Sequence, residues 1–279
     1  MQCLATSPLN NRLGEEGVEG GKLQEDLLPY YPRAILNISM TVCIAALAEN
    51  GNKVVLVADK MITTAAGSIG NINSEIDDHK IVNITTNKYI LMSGWISNCL
   101  SIIDRLRNIV QENNSTVECA NLLLTQTQIL RNEWIESGIL RPRGLTTLSD
   151  YYGRHLSLLN TLTSTIDKEI QTAQGNFNQN VSFIVVGKDG DSYNLYRIDP
   201  ANIPLPTDQS GFISIGSGGG IANYAMIDLG YKKSFDVDKV KKIALKAKQK
   251  SERAPGVGKG AQMIILGEES TLLSQANII

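Results

Sequence analysis

Two short apolar runs open the body of this chain, at residues 42–48 and 54–59. Between them lies Glu49-Asn50-Gly51-Asn52, an Asn-Gly signal for a β-hairpin. Residues 80–85 and 88–93 repeat the arrangement around Thr86-Asn87, so the pattern predicts an antiparallel sheet first. The period then changes from two to three and four. Ile96, Leu100, Ile103, Leu106 and Val110 share one face of an expected helix over 96–111. A second helix is expected over 117–137, with Leu123, Leu130 and Trp134 on one face and Leu122 and Ile129 beside them. After the break at Arg141-Pro142-Arg143-Gly144, a third is expected from about 148 to about 173 through Tyr152, Leu156, Leu159, Leu162 and Ile166.

Strands return at 181–187 and 192–198 around the turn residues 188–191, and a short strand at 212–215 runs into Gly216-Ser217-Gly218-Gly219-Gly220 and a helix to about Leu229. A basic amphipathic helix over 236–252 and a strand at 262–266 complete the reading. Strands, a block of helices, more strands and more helices describe a layered α+β protein and not a βαβ repeat.

The first 39 residues carry neither period. They hold Pro8, Pro29 and Pro32, four glycines between Gly14 and Gly21, and the acidic residues Glu15, Glu16 and Glu19. Such a stretch reads as a leader without a packed core, and it has no apolar segment of a secretory signal. The reading places a leader, disordered or upstream of the true start, at 1–40 and one domain at 41–279. The whole chain has a formal charge of −2, and Arg12, Lys22 and Arg33 against five acidic residues put all of it in the leader. A neutral domain offers no electrostatic footprint for nucleic acid, and apolar runs this short do not span a bilayer. Four scattered cysteines, Cys3, Cys43, Cys99 and Cys119, form no CxxC pair and suggest a reducing, cytoplasmic setting. Two histidines leave little for a His-rich metal cage, no GxSxG is present, and no cofactor or metal is expected.

The glycine run at 216–220 follows a strand and opens a helix, the context of a phosphate-binding loop. Ile221 stands where the third glycine of GxGxxG would fall, and a tight strand-to-helix turn explains the glycines equally well. More specific chemistry starts at Met40-Thr41. Removal of Met40 before the small Thr41 would free an α-amine, whose ordinary pKa of about 8 makes it a general base on the same residue as the hydroxyl. Asp59 ends one apolar strand and Lys80 opens another, supplying a carboxylate and a cation that could hold that pair in its reactive protonation state.

Thr41-Val42-Cys43-Ile44-Ala45-Ala46, then 54–59 ending in Asp59, then His79-Lys80-Ile81, and far downstream Ile215-Gly216-Ser217-Gly218-Gly219 resemble the proteasome β subunit and its bacterial relatives, in order and approximate spacing over 41–266. The resemblance implies an N-terminal nucleophile hydrolase fold, a four-layer αββα sandwich of two antiparallel sheets flanked by helices. It implies a threonine-type amide hydrolase, a peptidase in the first instance. Thr41 would be the nucleophile, Asp59 its acidic partner, Lys80 the activating cation and Ser217 a hydrogen-bond partner of the terminal amine. Ser251, followed by Glu252, falls where the family has an aspartate, and the oxyanion donor would be an amide near 91–94. Peptide or protein substrates and a homo-oligomer, ring or open, are further implications. The helical block from 96 to about 173 exceeds the family's usual length, and Met40 stands where self-cleaving members commonly have glycine. A non-catalytic scaffold that keeps its leader, and an amidase or acyl transferase for small substrates, are the competing readings.

Overall fold

The computed structural model describes residues 41–65, 71–75, 80–207, 209–267 and 271–274; the leader with Met40 and Cys3, and His79, lie outside them. β1 (Cys43–Ala48) and β2 (Lys53–Asp59) pair antiparallel, closing at Ala48 and Lys53. The hairpin loop is the four residues Glu49 to Asn52. Glu49, Asn50 and Gly51 take φ of 51°, 58° and 99°, and the Glu49 and Asn50 amides donate to the carbonyls of Phe235 and Lys233. External acceptors for both amides fit a left-handed run that would otherwise be costly for Glu49.

A small hairpin of β3 (Met61–Ala65) and β4 (Asn71–Glu75) follows. Next come β5 (Ile81–Thr85) and β6 (Lys88–Gly94), then α1 (Ile96–Arg107), α2 (Thr116–Ile135), α3 (Leu148–Arg154) and α4 (Asn160–Gln179). The chain continues through β7 (Val181–Asp189), β8 (Ser192–Ile198), β9 (Leu205–Pro206) and β10 (Phe212–Ile215). α5 (Gly219–Asp228), α6 (Val237–Ser251), β11 (Ala261–Leu266) and β12 (Thr271–Ser274) complete it. The strands form two five-stranded antiparallel sheets, ordered β10-β1-β2-β11-β12 and β5-β6-β7-β8-β9.

The period-2 geometry of strands sorts the core. Val42, just before β1, and Ile44 and Ala46 in it pack with Ala222, Met226, Val240, Ala244 and Ala247 of α5 and α6. Cys43, Ala45 and Leu47 face the other way, onto Leu91, Ile184, Val186 and Leu195 of the second sheet. That sheet's outer positions, including Ile90, Met92, Phe183 and Val185, meet Ile102, Ile103 and Leu106 of α1, Leu123 of α2 and Phe177 of α4. Helices, sheet, sheet, helices is therefore the packing order. Both faces of β1 and β2 are covered, which is why they read as unbroken apolar runs; each such Val, Leu or Ile contributes roughly 1.5–3 kcal/mol by leaving water.

Two helix expectations change. α1 buries Cys99, Ile102, Ile103 and Leu106 while Leu100 is exposed, so its inner face is rotated from the one the leucines suggested. The third helix is two: α3 ends at Arg154, Leu158 is extended (φ −89°, ψ 157°), and α4 runs on to Gln179. Tyr151 Oη donates to the Thr163 carbonyl (3.1 Å) and to Asp167 Oδ1 (2.8 Å), and His155 Nε2 lies 3.1 Å from Asp167 Oδ2. One continuous helix would hold residues 151 and 167 about 24 Å apart. The fold-back that lets them meet also buries Tyr151 among Ile135, Leu140 and Ile166.

The hydrogen bonds from His155 and then Tyr151 hold the Asp167 carboxyl below its usual range. A depressed folded pKa stabilises above the unfolded value of about 3.9, and that stability is lost as pH falls through the folded one. Asp167→Asn is therefore expected to lower the thermal midpoint at pH 7, with the difference from the parent shrinking below pH ~4. Equal differences at pH 7 and pH 3 would remove the carboxylate from the account. Among the described residues no helix is long and apolar enough to cross a membrane.

Candidate active site

Thr41 sits one residue before Val42, where β1 leaves the sheet ladder. Val42 and Asp59 face one another across β1 and β2: Asp59 N donates to the Val42 carbonyl (3.1 Å), and Val42 N turns to Asp59 Oδ1 (3.0 Å). The carboxylate thus replaces a main-chain acceptor at the sheet's end. Its second oxygen accepts from Met61 N (3.1 Å) and from Gly258 N (3.0 Å), just before β11.

Lys80 completes the array. Its Nζ lies 2.8 Å from Asp59 Oδ1 and 2.5 Å from Thr41 Oγ1. Thr41, Asp59 and Lys80 are 5%, 1% and 4% exposed, so the ion pair is dry. Removing two charges from water is costly unless the remaining hydrogen-bonding capacity is used. Asp59 meets that condition with four donors, two on each oxygen. The cation is consequently held against a threonine hydroxyl with little freedom to turn elsewhere.

The glycine turn between β10 and α5 closes the other side. Thr41 N donates to Ser217 Oγ (3.2 Å), and Gly218 N donates to the Thr41 carbonyl (3.1 Å). Gly216 has φ +92°, and a Cβ there would lie 2.2 Å from the Thr41 carbonyl oxygen. Close approach of backbone to backbone is what the glycines provide. Gly216→Ala is expected to cost more than the roughly 1–3 kcal/mol of left-handed strain alone, because Thr41 must also move. Gly51→Ala is the control: φ there is +99° but the nearest atoms are 3.8 Å away. Equal losses of stability in denaturant titrations of the two variants would mean that the Thr41 contact adds nothing.

Of the five residues singled out from the sequence, Thr41, Asp59, Lys80 and Ser217 converge. Ser251 does not join them by a hydrogen bond. Its buried hydroxyl donates to the Ala247 carbonyl (2.8 Å), the ordinary i−4 bond of a helical serine, and its Cβ packs beneath Gly218. Sequence reasoning missed the amides of Val42, Met61 and Gly258, which no residue type betrays.

Cys43, on the neighbouring position of β1, is a second potential nucleophile near Lys80. Burial pushes its thiol well up; Lys80 opposes that shift and Asp59 adds to it. It therefore remains a thiol and donates weakly to the Met92 carbonyl (3.3 Å). The strand above it supplies an amide. Met92 N donates to the Lys80 carbonyl and Trp95 N to the Asn180 carbonyl. Strand alternation then sends Gly94 N to the Lys80 side, beyond that bond. Ser93 Oγ would lie 3.0 Å from a Cβ on Gly216, which places this strand end beside the Thr41 carbonyl. Among the described residues no group of three or more His, Cys, Asp or Glu could hold a metal ion. No protein-family model matches the chain, and no curated protein matches it significantly.

Proposed function

We propose that the domain beginning at Thr41 is a threonine-type amide hydrolase with the N-terminal nucleophile fold. It acts when Thr41 is the first residue. The observation that carries this reading is the buried Lys80 ammonium lying within hydrogen-bond reach of both Thr41 Oγ1 and Asp59. Lysine beside a hydroxyl favours loss of the hydroxyl proton, and the carboxylate keeps the lysine aimed.

The freed Thr41 amine stays beside Ser217 Oγ and serves as general base. Thr41 Oγ1 attacks the amide carbonyl carbon, and its proton passes to the amine. The Gly94 amide is the donor we assign to the developing oxyanion. As the C–N bond breaks, the amine returns the proton to the leaving nitrogen, and an ester remains on Thr41. Water, activated by the same amine, hydrolyses it. A peptide or protein substrate and a homo-oligomeric assembly belong to this reading.

With Met40 attached, residue 41 contributes an amide and no base, and the non-catalytic scaffold describes that form. N-terminal sequencing of the protein from its source, with intact-mass measurement after a β-lactone, tests the proposal. A start at Thr41 with a single adduct supports it. A start upstream with no adduct and no amide hydrolysis overturns it.

A further inference from the structure

Lys248 is a buried ion that the site so far leaves unused. It lies on α6 among Ala244, Ala247 and Ser251 and is 1% exposed. Its Nζ donates to Glu252 Oε1 (2.7 Å), the Gly258 carbonyl (2.7 Å) and the Lys259 carbonyl (2.5 Å). Three acceptors match the three protons of an ammonium. All three belong to the segment between α6 and β11, and the amide of Gly258 is the one that donates to Asp59 Oδ2. Val257 of the same segment would sit 2.9 Å from a Cβ on Gly218, whose amide holds the Thr41 carbonyl.

We infer that Lys248 is a positioning residue for the Thr41, Asp59 and Lys80 array, acting by gathering the 252–260 segment so that Gly258 presents its amide to Asp59. The catalytic meaning of this inference rests on the hydrolase reading. Without the ammonium, the Gly258 and Lys259 carbonyls and the Glu252 carboxylate lose their shared donor, and the segment, still packed through Ala254 and Val257, loosens where Gly258 meets Asp59. Asp59 then keeps three donors of its four, and the carboxylate that aims Lys80 is held less firmly. The titratable groups facing Asp59 are Lys80 and Cys43. Neither is touched by Lys248, whose ion-pair partner is Glu252.

The test has two parts. In the full-length chain, Lys248→Met is expected to speed hydrogen exchange of the Gly258 amide at least tenfold while the β1 and β2 amides are unchanged. In protein whose first residue is Thr41, it is expected to lower the maximal rate of acylation by a β-lactone about tenfold with the half-saturating concentration unchanged, which a loosened binding surface would not do. Glu252→Ala alters the same lever from a half-exposed side and is expected to act in the same direction, more weakly. It serves where methionine at 248 prevents folding. Parental exchange at Gly258, or a parental maximal acylation rate, in either folded variant overturns the inference. If the parent itself is never acylated, the hydrolase reading fails and the exchange result alone decides the role of Lys248.

Discussion

Thr41→Ala is expected to abolish covalent labelling and amide hydrolysis in protein whose first residue is position 41. Removal of a nucleophile from a comparable array costs on the order of 10⁶-fold in turnover. The fold should survive the change. Thr41's main-chain bonds to Ser217 and Gly218 do not depend on its side chain, and only the contact from Lys80 to the hydroxyl is lost. An acceptor of a buried charged donor is worth about 1.5–3 kcal/mol, so the thermal midpoint should fall by roughly 3–12 °C with the fold retained. Thr41→Ser keeps the hydroxyl and should keep labelling. An adduct that persists on the alanine variant at the parental rate would move the nucleophile elsewhere.

The second large effect separates the two members of the ion pair. Lys80→Met is expected to reduce acylation by about 10²–10³-fold, the usual loss when one charged donor beside a developing charge is removed. Its cost in stability is moderated because Asp59 still accepts from Val42, Met61 and Gly258. Asp59→Ala is different. Lys80 would stay buried with its carboxylate gone and a threonine hydroxyl facing it, a stranded charge worth about 3–5 kcal/mol of stability. Denaturant titration of both variants should therefore rank Asp59→Ala as the more destabilising. The reverse order would mean that the amides do not support the carboxylate on their own.

The residues that could be read in advance share a property: each marks the end of a regular element. Thr41 precedes β1, Asp59 closes β2, Lys80 precedes β5 and Ser217 lies in the turn before α5. Side-chain chemistry at such boundaries stands out against an apolar run. Lys248 could not be read so, because it falls in a helix with Lys239, Lys241, Lys242, Lys246 and Lys250, where one more lysine looks like a solvated face. Only its alignment with Val240, Ala244 and Ala247 puts it on the buried side. Ser251 shows the complementary case, a helical serine whose hydroxyl is satisfied on its own backbone. The division of α3 from α4 was hidden because the leucine spacing continues through 156, 159 and 162 without a proline or glycine at the break. The β3–β4 hairpin, with Thr63, Thr64, Asn71 and Asn73, carries too few apolar residues to announce two strands.

Asp59 is joined to Gly258 across 199 residues. At translation speeds of roughly 5–20 residues per second, that separation is about 10–40 s of synthesis. During this interval the emerging chain already contains Thr41, Asp59 and Lys80, yet the carboxylate lacks one of its four donors and β2 lacks its β11 neighbour. The last-made part of the domain is the part that finishes its first-made site. In the hydrolase reading, a nascent chain that has not yet reached Gly258 lacks that donor to the carboxylate, so the array is assembled late in synthesis of the domain.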